Sequence, residues 1–593
     1  MKKFTEILIV LFLLPFWAFG ETSLPAGIKW ETNMDDPPLG VAQAVRGGKL
    51  RMSMTSYPAT FRLIGPGSNG YFANYTGAYG SWPLAVVHPT SLNVIPVLAT
   101  HWAIMDDNKT VYYKLNKKAR WSDGRPITAD DFVFAAEVYR SKHIQDPYAN
   151  NVMEEIIERV EKVDDYTIKM VNFKTSWRIL IEQSFSPLPK HYYQLSDKFV
   201  KKYQWKFESV PGPYIIKKYK HGKWVEFSRV KNWWGENEHY FKGMFNFDTI
   251  RFEVVRDRNV GLEMFKKGEF DILFVSSSKR WGKDTNFDEV KKGYVNKQRI
   301  FIETPDGAYG IWFNTKDSVM SDINIRKALS HLFNFNIINE KLMFSVYSRK
   351  HHFIDSLPPY KHPDIRAREF DVARANQLLD QAGWTSRNEE GIRMKGGKAL
   401  SLVLTYGGTG LTRHLTVFKE DTLKAGIEIK LKSMDGAAAW KTFREKKHQM
   451  HVTAMTTGLY PAPREYFHTA FIKPESNNFF MFGNAELDGL IETYETSMIE
   501  SERVSAIRKM EEMVFDNALW IPFFKGDFYR ILWWRYLQTP PNVVHKADIG
   551  TLFKTWDSWW LSPEAREELN DFENQGKAFD LLPIDFDPYK VRR

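Results

Sequence analysis

Apolar residues recur along this chain with two periods, one suited to a half-buried strand and one to a helix face. Leu400 to Tyr406 is a strand-like run, Gly407-Gly408-Thr409-Gly410 breaks it, and Leu411, Leu415 and Phe418 return at helical spacing. Gly426 stops that helix, after which Ile427, Ile429 and Leu431 alternate with Glu428 and Lys430. Strand, helix and strand at this spacing predict a βαβ crossover, and hence a parallel α/β core. Asp322 stands where it can cap a helix with Ile325, Ala328, Leu329, Leu332 and Phe333 on one face, and Asp371 can cap another that ends at Gly383. The first third is richer in strand candidates, at Leu50–Met54, Val111–Leu115 and Thr167–Val171. There Asp123-Gly124 supplies a tight turn, and Thr128 with Asp131 forms a capping-box pattern ahead of Phe132, Ala136 and Tyr139. Pro211-Gly212-Pro213 marks a break, and no solenoid-length repeat or low-complexity tract appears.

Composition changes this picture in three ways. At 593 residues the chain is too long for one core, and 43% apolar residues with 20 Trp and 43 Phe exclude intrinsic disorder. The absence of cysteine excludes a thiolate nucleophile, a disulfide framework, Cys-ligated metal and the lipid acceptor of a lipoprotein. Lys2 and Lys3 precede an unbroken apolar run from Ile7 to Phe19, shorter than the roughly 20 residues a membrane-spanning helix needs. With Ala18-Phe19-Gly20 beside the cut, residues 1–20 read as a cleaved export signal, which predicts a periplasmic mature chain from Glu21. Removing them takes two lysines and one glutamate from a net charge of +10 and leaves +9. Spread over so large a surface and interleaved with acids, that surplus gives no basic stripe for nucleic acid.

Motifs for chemistry are sparse. Gly65-Pro66-Gly67-Ser68-Asn69-Gly70 fits G-x-G-x-x-G, but Tyr71 to Gly80, with two more glycines, is a poor helix opening, so a plain loop is the expectation. The nucleophile-elbow, zinc-protease and P-loop patterns are absent. Adjacent His351 and His352 point apart on any regular element and read as loop residues, so no metal site is expected. Acid pairs such as Asp35-Asp36 and Asp164-Asp165 look like turns and caps, although a glycosidase needs only two well-placed carboxylates.

One set of ordered motifs goes further. Pro96-Val97-Leu98-Ala99, Trp102, Leu115 and the run Ala119 to Asp131 with Trp121-Ser122-Asp123-Gly124 closely resemble the hallmark of extracellular solute-binding protein family 5. Gly212-Pro213-Tyr214, Asn232-Trp233-Trp234-Gly235, Lys267 to Asp271, Trp312-Phe313-Asn314-Thr315, Ala373 to Trp384 and Ile521-Pro522-Phe523 follow in the family's order. The resemblance implies a class II, two-lobe α/β clamp with an extra subdomain and two interlobe crossovers. By that resemblance lobe one holds residues 45–306, with the subdomain near 57–210, and regains 526–593, while lobe two holds 307–525. It further implies a monomeric receptor, without catalysis or cofactor, that passes peptides or modified peptides to an ABC permease and its ATPase.

Family peptide binders hold an extended ligand like an added strand. The resemblance places Trp440 at the helix before the cleft strand, and Met455, Thr456, Thr457, Gly458 and Tyr460 on that strand. Typical oligopeptide binders carry an aspartate just beyond it that pairs with the peptide's ammonium group. Here Ala462 or a neighbour fills that position, and no Asp occurs from Val452 to Leu487. The departure resembles the branch that binds microcin C, muropeptides or other modified peptides, and offers Arg464 as a partner for a ligand carboxylate or phosphate. Tyr57, Tyr148 and Trp312 are cleft candidates by family position. A periplasmic glycan-acting enzyme and a ligand-presenting sensor are the rival expectations.

Overall fold

The computed structural model describes residues 24–589 apart from 69, 208, 357–358, 456–457 and 548–552, so the apolar leader 1–20 lies outside the described residues. Among those described, no helix is long and apolar enough to cross a membrane.

Alternation sets the first lobe. Leu50, Met52 and Met54 are buried on one face of strand Lys49–Met54, which runs parallel to Thr249–Val254. Trp224–Arg229 and Tyr214–Lys220 extend that sheet antiparallel. A second sheet is wholly antiparallel, in the order Ala99–Ile104, Thr110–Leu115, Thr167–Asn172, Ile157–Asp164. In a third, strand Phe528–Trp534 from the C-terminal part lies between Ile272–Phe274 and Val295–Phe301. One hydrophobic core therefore runs from Leu39 to Ile300 and resumes from Ile531 to Leu569. Its two ends are tied by fully buried Asp271, which accepts from Arg51 Nη2 at 2.6 Å and from the Tyr536 hydroxyl at 2.7 Å.

The second lobe is built on a five-stranded sheet, in the order Glu428–Met434, Ser401–Gly407, Met450–Met455, Ala308–Phe313, Trp520–Pro522. Ser401–Gly407, helix Thr412–Lys424 and Glu428–Met434 form the expected parallel βαβ unit. Asp322 and Asp371 cap helices Ile323–His331 and Val372–Gln381 through the amides of Asn324 and Arg374, at 2.9 and 2.8 Å. Along central strand Ala308–Phe313 the side chains alternate: Ile311 and Phe313 enter one core, while Trp312 enters another on the opposite face.

The chain passes from the first core to the second between Phe301 and Ala308, and returns between Phe523 and Phe528. Beside both passages, Asp355 holds Lys350 and Lys525 at 3.2 and 3.0 Å. Burial raises the Asp355 carboxyl, but these two ammonium groups outweigh it and hold the group well below the usual carboxylate range.

One local expectation is corrected. Ala73–Gly80 is a helix, despite its glycines, because Tyr75, Ala78 and Tyr79 are buried in the first core and tertiary packing outweighs glycine's helix cost. No described strand runs into the preceding glycine loop, so the strand–loop–helix context of a dinucleotide site is missing there. The turn and capping expectations hold: Gly124 has φ +89°, and the Thr128–Asp131 capping box opens helix Ala129–Arg140.

Candidate ligand-binding site

Three distant parts of the chain enclose a cavity of about 600 Å³. The first lobe supplies strand Ala85–Val87 and the stretch from Arg178 to Ser186 around helix Ile179–Glu182. The second lobe supplies Gly458, Leu459 and Tyr460, and the C-terminal return supplies His545, Ala547 and Phe553. The volume falls within the few hundred to about 1,000 Å³ usual for small-molecule sites.

The walls are largely apolar, with Val86, Leu180, Ile181, Phe185, Leu459 and Phe553 among them. Charge is present but internally matched. Arg178 Nε donates to Glu182 Oε1 at 2.9 Å, one helical turn away, and Arg178 Nη1 reaches across to the Pro461 carbonyl at 3.1 Å. Burial lowers the Arg178 pKa, but Tyr494 and Glu182 outweigh it and leave the guanidinium more firmly protonated than usual. Burial, and then His88, push the His545 imidazole down to about 4, so it faces the cavity uncharged at neutral pH, with Nε2 unpartnered. Burial and then Asp146 push the Tyr139 hydroxyl up to about 12, which leaves a neutral hydroxyl on the wall. Such a surface offers apolar contact and neutral hydrogen-bonding groups around a closed ion pair.

Of the residues singled out from sequence, Gly458 and Tyr460 line this cavity. Met455 ends strand Met450–Met455 and borders a smaller space of about 30 Å³ with Phe353, Pro461 and Ala462. Thr456 and Thr457 lie outside the described residues, as does the side chain of Tyr148 in helix Pro147–Glu155. Tyr57 is half-buried among Phe61, Trp205 and His221, away from the cavity lining. Trp312 is 0% exposed and stacks on Phe480 at 4.8 Å, because its strand is covered on both faces. Trp440 is 39% exposed on helix Gly436–Arg444 and packs against Phe443 and Phe479. Arg464 is taken up by Glu495, at 2.7 Å from its Nε, and Glu492, at 3.0 Å from Nη2. Its place is that of an intramolecular ion pair.

Sequence reasoning missed Arg178, Glu182, His545 and Phe553. No local signal marks them, since each belongs to the site only through chain segments hundreds of residues apart.

With this geometry in place, the model of bacterial extracellular solute-binding proteins, family 5 (middle region), matches residues 93–478. The chain belongs to family 5. A probable peptide-binding protein YejA from Agrobacterium fabrum is 24% identical over 569 residues, which is 87% of this chain and 90% of that one. The oligopeptide-binding protein AppA from Bacillus subtilis, solved with a nonapeptide, superposes with a TM-score of 0.69 at 20% identity, covering 88% of this chain and 100% of that one. NikA from Brucella suis, solved with Fe(III)-EDTA, gives a TM-score of 0.69 at 19% identity over 85% of this chain and 99% of that one. These superpositions establish the two-lobe family 5 fold for this chain.

Proposed function

We propose that this protein is the periplasmic receptor of an ABC importer that captures peptides or modified peptides lacking a free ammonium terminus and presents them to a membrane permease. In this reading residues 1–20 are a removed signal, 45–306 with 526–593 form one jaw, and 307–525 form the other. ATP hydrolysis belongs to a separate subunit.

The observation that carries the ligand class is the matched charge of the cavity. Among the described lining residues, Glu182 is the carboxylate and already accepts from Arg178 and, at 3.3 Å, from Asn172. Ala462 or a neighbour stands where the family resemblance implies the ammonium-binding aspartate. A buried ammonium group placed in the cavity meets no free counter-charge among the described lining residues, and its desolvation goes uncompensated. Apolar contact with Val86, Leu180, Ile181, Phe185, Leu459 and Phe553 remains to hold the ligand.

Calorimetry with one tripeptide in free-amine, N-acetylated and muropeptide-linked forms tests this. The blocked forms are expected to bind at least as tightly as the free amine, near micromolar affinity or about −8 kcal/mol. Binding that requires the free amine overturns the ligand class.

A further inference from the structure

After strand Thr167–Asn172 the chain leaves the first lobe, touches the second, and comes back at Ile179, which is buried in the first core. The residue that makes the touch is Trp177, which packs against the aromatic core of the second lobe. Its ring stands edge-on to Tyr460 and Tyr494, with centroids 5.2 and 5.8 Å away, and tilted to Tyr360 at 6.0 Å. The Arg503 guanidinium lies 4.2 Å from the ring centroid, within cation–π range. The indole N–H donates to the Tyr494 carbonyl at 2.9 Å. That carbonyl sits in the last turn of helix Ala485–Thr496, where main-chain acceptors have no partner inside the helix.

The receiving slot is put together by the second lobe alone. Tyr494 donates its hydroxyl to the Pro461 carbonyl at 2.9 Å, and Arg503 donates to the Tyr360 hydroxyl at 3.3 Å and to the Ser497 carbonyl at 3.0 Å. A slot held this way costs little to organise when the tryptophan enters. The neighbours of Trp177 follow it across: Arg178 reaches Pro461, and Lys174 stands 3.5 Å from Glu492. Each of these contacts joins protein to protein, and Trp177, Tyr360, Tyr494 and Arg503 stand outside the cavity lining, which Tyr460 and Arg178 share.

We infer that Trp177 is a latch: by seating in the Tyr360–Tyr460–Tyr494–Arg503 slot it holds the lobes closed without ligand and governs how fast a captured ligand leaves. The kinetic half of this inference rests on the solute-binding reading, and the conformational half does not. Closure favoured in advance raises the fraction of binding-competent protein, and loss of the latch is felt mainly in the dissociation rate.

The absence of cysteine makes the test direct, since Lys201→Cys and Glu420→Cys, both at exposed positions, place one spin label on each lobe. In ligand-free protein the parent is expected to show a short, narrow label distance. Trp177→Ala lengthens and broadens it, and Trp177→Phe, which keeps a ring but no N–H, falls between. Arg503→Gln attacks the same contact from the other lobe and opens the protein similarly, while the double variant adds little beyond either change alone. Release of an N-acetylated tripeptide accelerates about 10- to 100-fold in Trp177→Ala, equivalent to the loss of one to two tenfold steps of contact energy. Circular dichroism and melting of each variant confirm that it is folded. A label distance unchanged by both single variants overturns the latch, whether or not the tripeptide binds. A shifted distance without tripeptide binding upholds the latch and overturns the ligand class alone.

Discussion

In the first lobe Trp82, Trp121, Trp233, Trp534 and Trp559 each donate an indole N–H, to Ala78 O, Asp131 Oδ2, Pro211 O, Phe265 O and Val543 O, at 2.8–3.2 Å. In the second lobe Trp312 is equally enclosed, yet its N–H meets no acceptor. His448 and His451 lie nearby, each 3% exposed and packed on the Phe443 ring that also touches Trp312. These five first-lobe indoles are thus satisfied, whereas the second lobe buries the Trp312 N–H at a standing cost. A scaffold of the first kind is rigid and hard to perturb, whereas one of the second kind gives way to changes in protonation.

The largest expected effect that sharpens this contrast is the acid sensitivity of the second lobe around Trp312. Burial, followed by His451 and Lys446, pushes the His448 imidazole down to about 3, and burial pushes His451 down to about 4. The unfolded chain takes up these protons near pH 6.5 and the folded lobe does not, so stability is level above that pH and falls between 6.5 and 4. Each histidine removes about 1.4 kcal/mol per pH unit, so the pair costs roughly 4 kcal/mol by pH 5. Urea unfolding at pH 7.5, 6 and 5 reads the slope, and His451→Gln lowers it by one histidine's share. A second-lobe transition indifferent to pH over this range breaks the comparison.

Next in size is a test of the first lobe's satisfied core. Asp271→Ala leaves Arg51 and the Tyr536 hydroxyl without their acceptor and is expected to cost about 3 kcal/mol, the low end for a broken buried pair because Arg51 keeps some contact with water. Denaturant titration of the variant reads this directly, and a loss below about 1 kcal/mol would show that the tie between strand Lys49–Met54 and the C-terminal return is dispensable.

The smallest effect is a paired substitution. Trp559→Phe and Trp312→Phe remove the same volume, but the first also strands the Val543 carbonyl. The first is expected to destabilise by about 1–2 kcal/mol more than the second. Equal losses would mean that the indole hydrogen bonds do not distinguish the lobes.

The fold was legible where local pattern and tertiary demand agree. The caps at Asp322 and Asp371, the Thr128–Asp131 box and the βαβ unit from Ser401 to Met434 all follow from spacing, because capping and periodicity depend on neighbours within a few residues. The helix at Ala73–Gly80 was illegible for the opposite reason: its own glycines oppose it, and buried Tyr75 and Tyr79 impose it from afar. The site was less legible still. Trp312 and Arg464 are chemically plausible ligand contacts, but alternation turns Trp312 into a core and Glu492 and Glu495 claim Arg464.

By itself, then, the sequence determined most of the elements, the aromatic-rich composition, the lack of any cysteine and the lack of aspartate from Val452 to Leu487, since these are properties of neighbours and counts. Tertiary structure alone decided that the Arg178–Glu182 pair lies on a wall facing Gly458 and His545, and that Trp177 enters the other lobe. Those meetings bridge up to nearly four hundred residues of chain. No periodicity records them, because they depend on how two separately packed cores come to rest against each other.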